Sequence, residues 1–81
     1  MHLHNLRFID VIRILNHDFA CDIRTGKGTH FVAMRKVNGI RHNGIIPRHQ
    51  IIQTGTLSGI LKKLDIDRGE FESKLDKKIK L

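Results

Sequence analysis

The dipeptide Asn38-Gly39 constrains the fold more than any other feature of this chain. Two-residue Asn-Gly loops are the strongest short-range signal for a β-hairpin, because both residues tolerate a positive φ. The residues before the dipeptide separate into two alternating faces, with Phe31, Ala33, Arg35 and Val37 on one and His30, Val32, Met34 and Lys36 on the other. The sequence therefore predicts paired strands at 29–37 and 40–46, the second of them interrupted around Asn43-Gly44 and ended by Pro47.

A further strand is predicted just before this hairpin. Residues 19–24 alternate between apolar and polar, as a half-buried strand does. The turn at 25–28 contains two glycines, which can take a positive φ.

Helices are predicted on both sides of the strands. Residues 5–16 carry apolar side chains at helical spacing, with Asn5 as the N-cap. Residues 54–64 show the clearest amphipathic pattern of the chain. Asp67 caps a last helix, with Glu70 three residues later as in a capping box.

The predicted order is thus α-β-β-β-α-α. It corresponds to an α+β fold of two layers, a three-stranded antiparallel sheet with helices on one face. The 81 residues form a single domain (1–81), with a core at about 5–72 and a basic C-terminal helix or tail at 73–81. The other face of the sheet then meets solvent or a partner.

The charge balance points to a polyanionic partner. Fifteen Lys and Arg against eight Asp and Glu give a net charge of +7, which favours nucleic acid. The alternative is a basic protein with no such role. The cations of the central segment are the expected RNA or DNA contacts: Arg24, Lys27, Arg35, Lys36, Arg41 and Arg48.

The composition also indicates where in the cell the protein is expected. No apolar stretch approaches the roughly 20 residues that cross a bilayer, and the N-terminus has no signal-peptide pattern. The single cysteine, Cys21, allows no internal disulfide. We expect a cytoplasmic protein with no membrane association.

Two of the six histidines follow local sequence features that could fix their positions. His30 follows Gly28 and Thr29, in a turn where backbone amides and Lys27 could hold a phosphate. Taken alone, a glycine turn of this kind is more often a plain structural turn than a phosphate site. His49 follows Pro47 and the cation Arg48.

These residue types suit RNA strand cleavage. Attack of the 2′-hydroxyl on the neighbouring phosphorus requires one proton to be removed and another supplied, and the unperturbed pKa of histidine, about 6.5, suits both roles. Lysine, arginine and turn amides neutralise the phosphorane. The spacing of the histidines and the lone cysteine indicates neither a metal site nor a cofactor.

Three blocks, read in order, resemble the HicA-type (YcfA-like) toxins of prokaryotic toxin–antitoxin pairs. They are Gly-Thr-His at 28–30, Ile-Pro-Arg-His at 46–49 and Thr-Gly-Thr-Leu at 54–57, the last continued by Ile-Leu-Lys-Lys-Leu at 60–64. Thr54 stands where the family commonly has proline.

The resemblance implies a double-stranded-RNA-binding-domain-like fold and a metal-independent endoribonuclease, an mRNA interferase that acts on single-stranded or locally unpaired mRNA. It also implies a type II pair with a HicB-type antitoxin that occludes the site. His30 carries over as the catalytic histidine, and His49 matches a recurrent one. The RNA-contacting residues that we predict are Lys27, Gly28, Thr29, Arg24, Arg35, Arg41 and Arg48.

Two other functions fit the same sequence. One is a non-catalytic RNA-binding module of the same fold, which recognises RNA by shape and backbone. The other is an interaction protein whose open sheet or edge strand is completed by an acidic partner.

Overall fold

The computed structural model describes residues 5–26, 28 and 30–78, with side chains described as far as residue 75. The elements in chain order are β1 (Leu6–Arg7), α1 (Phe8–Asp18), β2 (Asp22–Thr25), β3 (His30–Val37), β4 (Ile40–Pro47), β5 (Ile51–Ile52), α2 (Thr54–Lys63) and α3 (Arg68–Lys78). Strands β2, β3 and β4 form an antiparallel sheet in that order, and β1 pairs with β5. The predicted α+β class with a three-stranded antiparallel sheet is confirmed, and a two-stranded sheet is added to it.

The hairpin between β3 and β4 forms as predicted. Asn38 and Gly39 have φ values of 51° and 81°, so both turn residues are left-handed, as a type I′ turn requires. The pairing then runs regularly from Val37 opposite Ile40 to His30 opposite Pro47. No interruption occurs at Asn43-Gly44, where we had expected one.

The two faces of the three-stranded sheet differ sharply. Directly opposed residues share a face, and the pairs Ala33–Gly44 and Phe31–Ile46 belong to the face that packs on the helices. Ala33 and Ile46 are fully buried there in one core with residues of α1, α2 and α3. Ile45, one residue away on the opposite face, is 62% exposed. We call this second side the open face.

The first helix was predicted too early. It begins at Phe8 and ends at Asp18, and Asn5 does not cap it. The side-chain Oδ1 of Asn5 instead accepts hydrogen bonds from the backbone nitrogen of Thr54 at 3.0 Å and from its Oγ1 at 3.1 Å. Asn5 therefore satisfies the N-terminus of α2, and the chain at Leu6 is held extended by its pairing with Ile52.

The first strand of the three-stranded sheet is shorter than predicted, because the chain turns at Ala20. Ala20 has φ 55°, and the side chain of Asn16 donates to the carbonyl of Cys21 at 2.9 Å across the turn. Phe19 and Cys21 are buried, but they lie ahead of β2. Their apolar alternation therefore reflected packing rather than strand geometry.

The C-terminal helices agree with the prediction. Asp67 Oδ2 accepts a hydrogen bond from the backbone nitrogen of Glu70 at 3.1 Å, which is the predicted N-cap. Phe71 and Leu75 are fully buried, and Phe71 stacks on Phe19 with ring centroids 6.3 Å apart. In the part of the chain that the structure describes, no helix has the length and apolar character to cross a bilayer.

Candidate functional site

The glycine turn before β3 is tied to the first residue of that strand. The backbone nitrogen of Gly26 donates to the carbonyl oxygen of His30 at 2.9 Å. A Cβ at Gly26 would stand 3.3 Å from that oxygen and 3.4 Å from Val32 Cγ2, so glycine permits this approach. Gly28 has φ 68°, a conformation that favours glycine. Lys27 and Thr29, both predicted phosphate contacts, lie outside the described residues.

The two predicted catalytic histidines lie near the same end of the sheet. His30 opens β3 directly opposite Pro47, and its side chain is exposed on the open face. Just beyond β4, the backbone nitrogen of His49 donates to the carbonyl oxygen of Pro47 at 2.9 Å, which closes a tight turn. Opposed Cα atoms are about 5 Å apart and two residues span at most about 7 Å, so the Cα atoms of His30 and His49 lie within about 13 Å.

A cavity of about 230 Å³ adjoins His49. It is lined by His49 and Pro47 together with the β5–α2 junction, chiefly Ile51, Gln53 and Thr56. His30 does not line it. The junction residues were not predicted as site residues, and only their closeness to His49 in the sequence indicated them.

Arg48 lies on the other side of the strand end from His30. Its guanidinium stands 5.9 Å from the centroid of the Phe31 ring, and Phe31 packs against Phe8 with centroids 5.2 Å apart. Phe31 belongs to the helix-facing side of β3. Arg48 is exposed there, so it adds positive charge near the site without sharing the open face.

Arg35 contacts the chain that directly follows α2. Its NH1 donates to the carbonyl oxygens of Leu64 at 3.0 Å and Asp65 at 2.7 Å, and the guanidinium lies 5.6 Å from the Phe19 ring centroid. These contacts bind β3 to the C-terminal end of α2. They do not support the RNA contact that we predicted for Arg35.

The remaining predicted cations, Arg24 and Arg41, lie on the open face. Arg24 is opposite Val32 and pairs with Asp22, with 3.0 Å between Nε and Oδ2. Arg41 is opposite Lys36, and both border a cavity of about 510 Å³. Six residues of strand, about 20 Å, separate Lys36 from His30.

In the described part of the chain, the metal-ligating side chains and the single cysteine do not add a second site. Within residues 5–26, 28 and 30–78, no three His, Cys, Asp or Glu side chains gather as a metal site would require; His2 and His4 lie outside this range. Burial raises the pKa of the Cys21 thiol above its ordinary value, and the charge of Arg35 opposes this only in part. Cys21 is thus a core residue.

No protein-family model, no curated protein and no solved structure matches the chain.

Proposed function

We propose that the protein is a metal-independent endoribonuclease, an mRNA interferase toxin of a type II toxin–antitoxin pair, similar to the HicA-type proteins. The observation that supports the proposal is that His30 lies opposite Pro47 and His49 lies two residues after it, beside the glycine turn. The order α1-β2-β3-β4-β5-α2, with helices on one side of the three-stranded antiparallel sheet, supports a double-stranded-RNA-binding-domain-like fold.

In the proposed reaction a phosphodiester of RNA lies across the strand end. One histidine takes the proton of the 2′-hydroxyl as its oxygen attacks phosphorus, and the P–O5′ bond breaks. The other histidine supplies a proton to the departing 5′-oxygen. Roles of this kind contribute about 10²–10⁴-fold each. The backbone at Gly28 and the charge of Lys27 would stabilise the phosphorane.

The substrate is single-stranded or locally unpaired mRNA, held mainly by its backbone. The chain has four Phe and no Tyr or Trp, which does not make a broad stacking platform for bases. The cations on the open face would contact phosphates instead, so affinity should fall steeply as salt rises. A HicB-type antitoxin would occlude the site in the cytoplasm.

Cleavage of a short unpaired RNA by purified protein in EDTA tests the proposal. We expect His30→Ala to reduce the rate by at least about 10²-fold and His49→Ala to reduce it substantially. His17→Ala, which alters an exposed histidine in the last turn of α1, is the matched control and should retain full activity. A 2′-deoxy substitution at the cleaved position should block the reaction. Full cleavage by His30→Ala would refute the assignment of His30 as a catalytic residue.

A non-catalytic RNA-binding function is the second candidate. It is favoured by Lys36 and Arg41, which lie opposite one another at the end of the sheet away from His30 and which catalysis at His30 does not require. This candidate predicts RNA binding that survives His30→Ala, and no cleavage by the wild-type protein under any condition.

A further inference from the structure

Strand β4 forms an edge of the sheet, and a groove runs along it. In the described residues β4 pairs with β3 alone, so alternate backbone N–H and C=O groups on its other side lack a strand partner. Between this edge and α2 lies a groove of about 440 Å³. Its lining residues are Asn43 and Ile45 of β4 and Thr56, Gly59, Ile60 and Lys63 of α2.

The spacing of these residues describes the shape of the groove. Asn43 and Ile45 are two apart, which is the period of outward-pointing groups on a strand. The four helical residues follow the i, i+3, i+4, i+7 pattern of a single helix face. The seven helical rises from Thr56 to Lys63 give a length of about 10 Å. An extended segment of about three residues fills that length.

Chemically, the groove is apolar with a cationic end. Ile60 is buried at its floor, while Ile45 is 62% exposed at its rim. A Cβ at Gly59 would meet no atom within 4 Å, so this helix position leaves space for an incoming chain. Lys63 is the only charged residue of the lining, and the whole chain carries +7.

We propose that this groove binds an extended acidic segment of another polypeptide, which adds to β4 as a fourth strand. The partner's backbone would bond to the free edge of β4, its apolar side chains would contact Ile45 and Ile60, and its carboxylates would lie near Lys63. Peptides bind other sheet edges in this way. Binding here does not depend on RNA cleavage at His30.

Charge and chemistry separate this occupant from two others. A second copy of the chain would bring another +7 to the same edge, and like charges oppose such pairing. RNA offers no peptide backbone to continue the ladder of β4. An acidic peptide satisfies both the edge and the charge.

Fluorescence anisotropy with a labelled peptide of alternating glutamate and valine tests the proposal. Gly59→Leu fills the groove, whereas Gly55→Leu makes the same change at another α2 glycine that has open space around it and does not line the groove. Neither change disturbs the core, and leucine favours helix over glycine. A second peptide, N-methylated at alternate amides, keeps the charge but loses the backbone donors.

We expect the plain peptide to bind wild type and Gly55→Leu equally, and Gly59→Leu at least about tenfold more weakly, a difference of about 1.4 kcal/mol. The N-methylated peptide should bind as weakly as the peptide does to Gly59→Leu. The proposal is overturned by no binding to wild type, by equal loss in both leucine variants, or by equal binding of the N-methylated peptide. It is also overturned if Gly59→Leu instead dissociates a homodimer in sedimentation, or weakens RNA binding while peptide binding is unchanged.

Discussion

Arg35 tests whether a cation on the helix-facing side of the sheet stabilises the fold rather than binding RNA. Arg35 is opposite His42 on the helix-facing side, and its NH1 donates to the carbonyl oxygens of Leu64 and Asp65. Leu64 and Asp65 directly follow the last residue of α2, Lys63, so these bonds hold the chain where it leaves the helix. We therefore expect Arg35→Met to lower stability while leaving RNA affinity unchanged.

The size of the effect follows from the contacts that are lost. A hydrogen bond to a charged group contributes about 1.5–3 kcal/mol, and the two bonds share one nitrogen in a half-buried setting. The contact with the Phe19 ring adds about 0.5–1 kcal/mol, while methionine retains part of the aliphatic packing. The expected loss is about 2–3 kcal/mol. With a urea m-value of about 1 kcal/mol/M, the unfolding midpoint falls by about 2–3 M.

Urea unfolding followed by circular dichroism, together with RNA binding below the unfolding transition, provides the two readouts. Arg41→Met is the matched control, since Arg41 lies exposed on the open face. This variant should change stability by less than about 0.5 kcal/mol and reduce the slope of log affinity against log salt by about 1. Unchanged stability in Arg35→Met with RNA binding weakened as in Arg41→Met would refute the reasoning.

Two further predictions concern the core. Gly44→Val should destabilise the fold by about 1–3 kcal/mol, because a Cβ there stands 3.2 Å from Cγ of the fully buried Leu64; Asn43→Val, exposed one residue earlier, should be neutral in the same urea titration. Burial raises the pKa of Cys21 above its ordinary value of 9.0, so the unfolded chain loses this proton first as pH rises. The stability of wild type should therefore decline above about pH 9 relative to that of Cys21→Ala, and parallel pH profiles of unfolding would contradict this.

Local patterns predicted the elements that are stabilised by local contacts. The Asn38-Gly39 turn depends on the φ preferences of two adjacent residues, and the start of α3 depends on Asp67 and the backbone of Glu70 three residues later. In both cases the residues that cause the structure are neighbours in the sequence. Such elements can be identified without knowledge of the rest of the fold.

Long-range contacts account for the main errors. Asn5 is a good N-cap residue by type, but the helix that it caps begins 49 positions later, at Thr54. The pairing of Leu6 with Ile52 is equally remote and involves strands of two residues, too short for a period to be seen. The helix boundary was wrong because a distant partner competed for the same side chain.

Arg35 shows how two signals in the sequence can point to different roles for one residue. Alternation along β3 already assigned Arg35 to the face of Phe31 and Ala33, whereas Lys36 fell on the face of His30. Its charge argued for an RNA contact, and its position in the strand argued for contact with the helices. Its hydrogen bonds to the carbonyls that directly follow α2 agree with both the charge and the position. A cation on the same face of a strand as buried residues should therefore be expected first to donate to unpaired backbone carbonyls. By the same rule Lys36, which lies on the open face, is a stronger candidate for an RNA contact than Arg35.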